Sequence, residues 1–242
     1  MKSPVEQFTI KTLVPLEAFG YDISFTNASL FMVLSVIVSS LFLYLGIKKS
    51  SLIPNRFQSS VELLYEFVSN MVKENVGTGG KKYFPFIFSL FMFILFGNLL
   101  GMIPYSYTFT SQIIVTITLA LIIFTGVTLI ALIKHKLKFF TFFFPSGVPI
   151  ALAPLLIPIE IISYLSRPVS LSVRLFANMM AGHTMLKVFG GFVISLGLIA
   201  GWLPLTFSVA LTGLEILVAF LQAYVFAILT CIYLNDALNL HH

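Results

Sequence analysis

Three charged residues in the last third of the chain, Glu160, Arg167 and Arg174, stand at intervals of seven. Seven residues are two helical turns, so the three share one stripe of a helix, with Ser163, Ser166 and Ser170 beside it. Asn178 follows one turn beyond Arg174, and His183 lies nine residues beyond it, about 13.5 Å along the axis and on the opposite side. Further on, Glu215 and Gln222 repeat the interval of seven and share a face of their own. Glutamate and histidine load and release protons near neutral pH when their surroundings shift them, whereas a guanidinium keeps its proton in a protein. Proton carriers and a permanent cation are the ingredients of stepwise proton passage, with Arg174 as the barrier to leakage.

The segments that hold these residues are strongly apolar. Of 242 residues, 58% are hydrophobic and 10% charged, and the mean hydropathy is +1.02. Soluble domains hold about 45–50% apolar and 25% charged residues, so the chain is read as an integral membrane protein. A charge at mid-bilayer costs at least ~2.5–3.5 kcal/mol, and such residues usually face protein or water and serve transport. Arg174 carries that argument best, because neither a helix end nor a headgroup is within its reach. Cys231, alone of its kind, excludes an internal disulfide and a cysteine-based metal site and is read as packing. No metal-ligand spacing and no cofactor motif is present, so neither metal nor cofactor is expected.

A span needs about 20 apolar residues, and residues 27–47, 83–103 and 111–133 each supply them. Between the first two, residues 55–76 alternate with helical period. Phe57, Val61, Leu64, Tyr65, Val68 and Val72 fall on one face, and Gln58, Glu62, Glu66, Ser69 and Lys73 on others. That pattern predicts an amphipathic helix on the membrane surface, ended by Gly77, Gly79 and Gly80. Residues 149–189 and 198–236 are each too long to cross upright, since about 40 residues make a helix of about 60 Å, twice the hydrocarbon core. They are expected to tilt, with kinks at Pro154, Pro158 and Pro168 and a loosened connection at Gly190, Gly191, Gly197 and Gly201. The expected fold is an all-α integral membrane protein in one domain. It has about five membrane-embedded helices plus one amphipathic surface helix, the last two long and steeply tilted as a hairpin.

Orientation follows from the basic residues. Lys48, Lys49, Arg56, Lys73, Lys81, Lys82, Lys134, Lys136 and Lys138 fall in loops on one side, against Lys2 and Lys11 on the other. The positive-inside rule then puts the N-terminus (1–26) outside and the C-terminus inside. The net charge of +5 is thereby topological and predicts no nucleic-acid partner. The N-terminal segment holds charges and prolines and no compact apolar core before a cleavage site, so no secretory signal is expected. If the two long helices are antiparallel with Gln222 level with Arg174, Glu215 and His183 lie at almost the same depth on the outer side. Glu160 and Ser163 then lie on the inner side.

Plainer readings stand beside these. Arg167 either snorkels, pairs with Glu160 or has a functional role, and the spacing does not choose. Lys187 reads as an interfacial anchor near a helix end. His183 alone reads equally as a hydrogen-bonded core residue, and Glu215 alone as a buried, protonated one. His135, His241 and His242 carry no signal, and Phe142, Phe143 and Phe144 read as interfacial packing.

The run RPVSLSVRLFANMMAGHTMLKV, with GLEILVAFLQAYVFAILTCIYLNDA and GNLLGMIPYSYTFTSQ, resembles the a subunits of rotary F-type ATP synthases. The resemblance covers essentially the whole chain. It implies a non-catalytic, proton-translocating stator that lies against a ring of c subunits and works with peripheral-stalk b subunits, the rest of the synthase and membrane lipid. By this resemblance Arg174 matches the arginine facing the c-ring carboxylate. Asn178, His183, Glu215 and Gln222 match the outer half-channel, and Glu160 and Ser163 the inner one. Many bacterial relatives carry an acid at the position of His183 and a histidine at that of Glu215. The exchange seen here resembles mitochondria and the bacterial lineage related to them, and it leaves open which of the two takes up the proton first. The resemblance implies an energy-coupling membrane, the bacterial inner membrane being favoured over the mitochondrial one.

Two other classes remain to be separated. A secondary transporter could clamp an anionic substrate with Arg174, but such folds commonly show paired repeats, and none is visible. An intramembrane enzyme could use Glu215 and His183 as an acid–base pair, but no nucleophile accompanies them. No phosphate-cradling glycine loop is present, so nucleotide chemistry would belong to other chains.

Overall fold

The structure is a computed structural model that describes residues 8–15, 17, 18, 21, 22, 24–48, 51, 53–103, 106–136 and 153–239. Lys2, Lys49 and Lys138 of the orientation count, Phe142, Phe143 and Phe144, His241 and His242, and the first four residues of the expected 149–189 helix lie outside the described residues.

Among the described residues, four short strands precede the helices: β1 (Thr12–Val14), β2 (Glu17–Ala18), β3 (Tyr21–Asp22) and β4 (Phe25–Thr26). β1 pairs antiparallel with β4, and β2 with β3. Strands of two or three residues are too short to show an alternating pattern, so the sequence did not announce them. They bring the N-terminal segment back onto the start of α1, where Asn27 Nδ2 donates to the Thr9 carbonyl at 3.2 Å.

α1 (Asn27–Ile47) begins at an N-cap, Thr26, whose hydroxyl accepts from the Ser29 amide at 3.4 Å. Its buried residues are Ala28, Ser35, Ser39 and Gly46, while Val33, Val36, Ile37, Leu41 and Tyr44 are exposed. Small side chains lining the packed face and large apolar ones facing outward is how a helix packs in lipid. At Gly46 an added Cβ would lie 2.5 Å from Val61 Cγ2, so any side chain there would have to displace Val61 or part α1 from α2.

α2 (Arg56–Val76) is capped by Asn55. It ends at Gly77, whose φ of +73° suits a residue without Cβ. Val61, Val68, Met71, Val72 and Val76 are buried, so the inward face is turned from the expected one. Phe57 and Tyr65 stay exposed, Phe57 against Phe42 at 5.0 Å and Tyr65 against Phe84 at 4.9 Å between ring centroids. Gln58, expected outward, is buried and bonds the Ser51 backbone and Glu62. A broad apolar stripe does not say which edge a neighbour covers. Here Phe67 chooses, with Phe91, Phe220 and Tyr224 around it at 6.0, 5.8 and 5.5 Å.

A 3₁₀ segment (Gly77–Tyr83) leads into α3 (Phe84–Gly101), which has proline in its first turn. Half of its most apolar stretch is buried, against 17% for α1 and 22% for α4 (Ile113–His135), so α3 is the centre of the bundle. Ile87, Phe91 and Ile94 form the core with Val68, Ile123, Leu171, Leu175, Met179, Phe226 and Cys231.

α5 (Ala153–Ala200) has 48 residues and α6 (Trp202–Leu238) has 37. At 1.5 Å per residue these are about 72 and 55 Å long. α5 does not stop near residue 189: it runs through Gly190 and Gly191 and breaks only at Gly197, with φ +60° and ψ −160°. In apolar surroundings the helix satisfies its own backbone groups, so glycine alone gives it no reason to end. Lys187 therefore lies within the helix and not at its end. Pro154 lies in the first turn, where it removes no helical bond, and Pro158 and Pro168 lie within the helix. The residue pairs between α5 and α6 run in opposite directions, making the two an antiparallel hairpin. At its open end Lys134 Nζ donates to the Leu238 carbonyl at 2.7 Å, and His135 Nε2 lies 3.1 Å from the Ala237 carbonyl. These two residues satisfy the carbonyls that the end of α6 leaves open. The chain is a multi-pass membrane protein with five helices, among the described residues, long and apolar enough to cross a bilayer.

Candidate functional site

The hairpin brings the sequence-selected residues together in pairs. His183 Nδ1 lies 3.6 Å from Glu215 Oε1, with the side chains 11% and 5% exposed. Asn178 Nδ2 donates to Gln222 Oε1 at 2.9 Å. The register expected from the sequence is corrected by one turn: Gln222 stands level with Asn178, not with Arg174. Glu215 and His183 meet all the same, because opposed side chains bridge the difference in rise.

Three features make room for that pair. At Gly182 an added Cβ would lie 2.8 Å from Glu215 Oε1 and 3.1 Å from its Cδ, so the missing side chain is the space the carboxyl occupies. Thr108, in the loop between α3 and α4, places Oγ1 3.0 Å from His183 Nε2. Phe8 sets its ring edge-on to the imidazole at 6.5 Å, and its carbonyl is held by Gln112 Nε2 at 2.7 Å. Neither oxygen of Glu215 has a hydrogen-bond partner among the described residues, and Gln222 Nε2 is likewise without one. A carboxyl buried this way is costly unless it is neutral or paired, and the His183 ring is the group placed to do either.

Between Glu215 and Gln222, the Ala219 carbonyl accepts from Asn98 Nδ2 at 3.2 Å, and Asn98 Oδ1 accepts from Thr110 at 2.9 Å. α3 thereby fixes α6 at the level of the site. Sequence reasoning assigned no role to Thr108, Asn98, Thr110 or Gly182. Polar residues in a turn read as turn formers, and a helical glycine is silent about what fills its space.

Arg174 lies one turn from Asn178 and takes no part in these contacts. It is exposed, as are Val169, Val173 and Ile162 on the same helix, while Leu171, Ser172 and Leu175 face the bundle. Among the described residues no hydrogen bond or ion pair engages its guanidinium. Only 6% of the apolar stretch of α5 is buried, against 39% for α6. The arginine thus stands on a sparsely covered face of α5, with Ser170 and Asn178 exposed one turn to either side of it.

Glu160 is half-buried and Ser163 exposed; the structure brings neither to Arg174, which is about 21 Å and 17 Å away along the helix. The carboxylate that Arg167 engages is Asp236 on α6, at 3.0 Å, in place of the Glu160 partner considered from the spacing. The Tyr164 and Tyr233 rings flank the guanidinium at 5.4 and 5.1 Å, and Tyr164 reaches Thr128 on α4 at 2.6 Å. Arg167 is therefore fixed, not snorkelling. A signal for Asp236 was available: it lies 14 residues past Gln222, on the stripe that the interval of seven defines.

The comparisons with known proteins agree over the whole chain. The family model for the ATP synthase A chain matches residues 29–235. A protein of Pelagibacter ubique (strain HTCC1062) named ATP synthase subunit a is 66% identical over 241 residues, covering 99% of each chain. That of Rhodospirillum rubrum is 58% identical over 241 residues and 100% of both. That of Rhizobium rhizogenes (strain K84 / ATCC BAA-868) is 59% identical over 242 residues, 98% of this chain and 97% of its own.

Proposed function

This chain belongs to the ATP synthase A chain family, and from that membership we propose how it acts as the proton-translocating stator of the membrane sector. It is a component of the synthase complex and carries no nucleotide chemistry of its own. Protons reach Glu215 and His183 from the outer side and pass to a carboxylate on a ring of c subunits. After a turn of the ring they leave inward past Glu160 and Ser163. Arg174 stands between the two half-paths, holds the ionised ring carboxylate by charge and lets no proton cross directly. Asn178 and Gln222 line the outer path where it approaches Arg174.

The observation that carries this reading is the exposed Arg174 on the sparsely covered face of α5. A guanidinium facing lipid is unfavourable, and a partner that is itself apolar and bears a carboxylate removes that cost. A c-ring has this chemistry. The lengths of α5 and α6 support helices that tilt steeply and follow its outer surface, and the exposed outer flank of α1 and α2 leaves room for peripheral-stalk b subunits. The basic loops support an N-terminus outside and a C-terminus inside. The bacterial relatives support the bacterial inner membrane over the mitochondrial one.

Each elementary charge crossing 100 mV carries about 2.3 kcal/mol, the energy that the ring converts into rotation. Replacing Arg174 by alanine removes the barrier. In assembled complexes in inverted vesicles, Arg174→Ala is expected to abolish proton-driven ATP synthesis, and synthesis at the normal rate overturns the proposal.

A further inference from the structure

The mechanism above uses Glu215 and His183 but not the loop that touches the far side of the imidazole. Thr108 is 4% exposed, and its Oγ1 lies 3.0 Å from His183 Nε2 and 3.1 Å from the Gly101 carbonyl. A threonine hydroxyl has one hydrogen and two acceptor sites. The Gly101 carbonyl can only accept, so a hydroxyl that donates to it must accept from the imidazole. We infer that Thr108 is a positioning residue for proton transfer: it holds a proton permanently on Nε2 of His183, so that Nδ1, facing Glu215, is the nitrogen that carries the transferred proton. This rests on the half-channel role proposed for Glu215 and His183.

The opposite arrangement is less favourable. If Thr108 donated to Nε2, the neutral ring would carry its hydrogen on Nδ1, which would then have no lone pair to take the Glu215 proton, and the Glu215 hydroxyl would have no acceptor among the described residues. A buried hydroxyl left without an acceptor is costly. With the hydrogen on Nε2, each group in the row has a partner: the Glu215 hydroxyl faces the Nδ1 lone pair, Nε2–H faces Thr108, and Thr108 faces Gly101. A closure of roughly 0.7 Å brings Oε1 and Nδ1 to hydrogen-bond distance. The transfer is then balanced. The O–H bond of Glu215 breaks, an Nδ1–H bond forms, and a carboxylate and an imidazolium result; the reverse step restores both neutral groups. Nε2–H is unchanged throughout.

The turn is built to hold Thr108 in place. Ser106 Oγ lies 2.7 Å from the Leu100 carbonyl and 2.8 Å from that of Gly101, and Ser111 Oγ donates to the Thr108 carbonyl at 2.6 Å. An added Cβ on Gly101 would lie 2.5 Å from Thr108 Oγ1, so the glycine admits the hydroxyl to its carbonyl.

The test uses the whole synthase in proteoliposomes, with ATP synthesis driven by an imposed proton gradient and rates divided by the amount of assembled complex. Thr108→Val, which keeps the shape and removes the acceptor, is expected to lower the rate about tenfold. Thr108→Ser, which keeps the acceptor, is expected to stay within about twofold of the unaltered protein. A valine variant at the unaltered rate overturns the inference, and so does a serine variant as slow as the valine one, since packing alone would then explain the loss. If the valine variant does not assemble, Thr108→Cys carries the same test: its weaker acceptor should give a rate below that of serine, and an equal rate overturns the inference. His183→Gln and Glu215→Gln, measured alongside, separate this inference from the half-channel reading. Synthesis lost in both but kept in Thr108→Val refutes only the role of Thr108, whereas synthesis kept in both refutes the half-channel reading itself.

Discussion

Gly182→Ala sets helix stability against function. In a helix interior alanine is favoured over glycine by about 1 kcal/mol, so the substitution should strengthen α5. The added methyl, however, would lie 2.8 Å from Glu215 Oε1, 3.1 Å from Cδ and 3.3 Å from Cγ. Ordinary contact begins near 3.4 Å, so the oxygen must retreat by about 0.6 Å. The retreat carries the carboxyl away from a histidine nitrogen already 3.6 Å distant. Misplacement of a reacting group by 1 Å can cost about 100-fold, and a shift of 0.6 Å scales to a loss on the order of 10-fold in proton-driven synthesis. The assay is ATP synthesis in proteoliposomes, with Gly126→Ala as control because its added Cβ meets nothing within 4 Å. Synthesis at the unaltered rate in Gly182→Ala, with complex assembled normally, would refute the argument that this glycine is the space for Glu215.

Because His183 and Glu215 face one another, the exchange His183→Glu with Glu215→His should keep more proton flux than either single change; a double variant no better than the worse single one contradicts the pairing. Arg167→Gln and Asp236→Asn each break the same ion pair between α5 and α6. They should lower the thermal midpoint of the purified complex by similar amounts and not add when combined; additive losses would show that the two act separately.

The sequence displayed what depends on hydropathy and on helical spacing. The bounds of α1 and α4 follow from uninterrupted apolar runs, the intervals of seven led to Arg174, Glu215 and Gln222, and the matching depth on the two helices led to His183, without any view of the fold. The end of α5 was not legible in Gly190 and Gly191, since a break needs a backbone turn that only Gly197 makes. Nor was the register between α5 and α6, which side-chain reach decides: Asn178 and not Arg174 meets Gln222. Thr108 was hidden for a further reason. Its contact with His183 joins residues 75 positions apart, and no local pattern announces a partner brought by a loop.

The sparsely covered face of α5 also bears on how the protein is made. Until a partner arrives, Arg174 stays exposed on a helix of which only 6% of the apolar stretch is buried, and a guanidinium that faces hydrocarbon costs at least ~2.5–3.5 kcal/mol. On the proposed mechanism, the arginine that separates the two proton paths in the finished complex is thus a penalty on the solitary chain. Docking as proposed releases that penalty, so the residue assigned the barrier role also favours the assembled over the orphaned subunit and marks the unassembled one as unfinished.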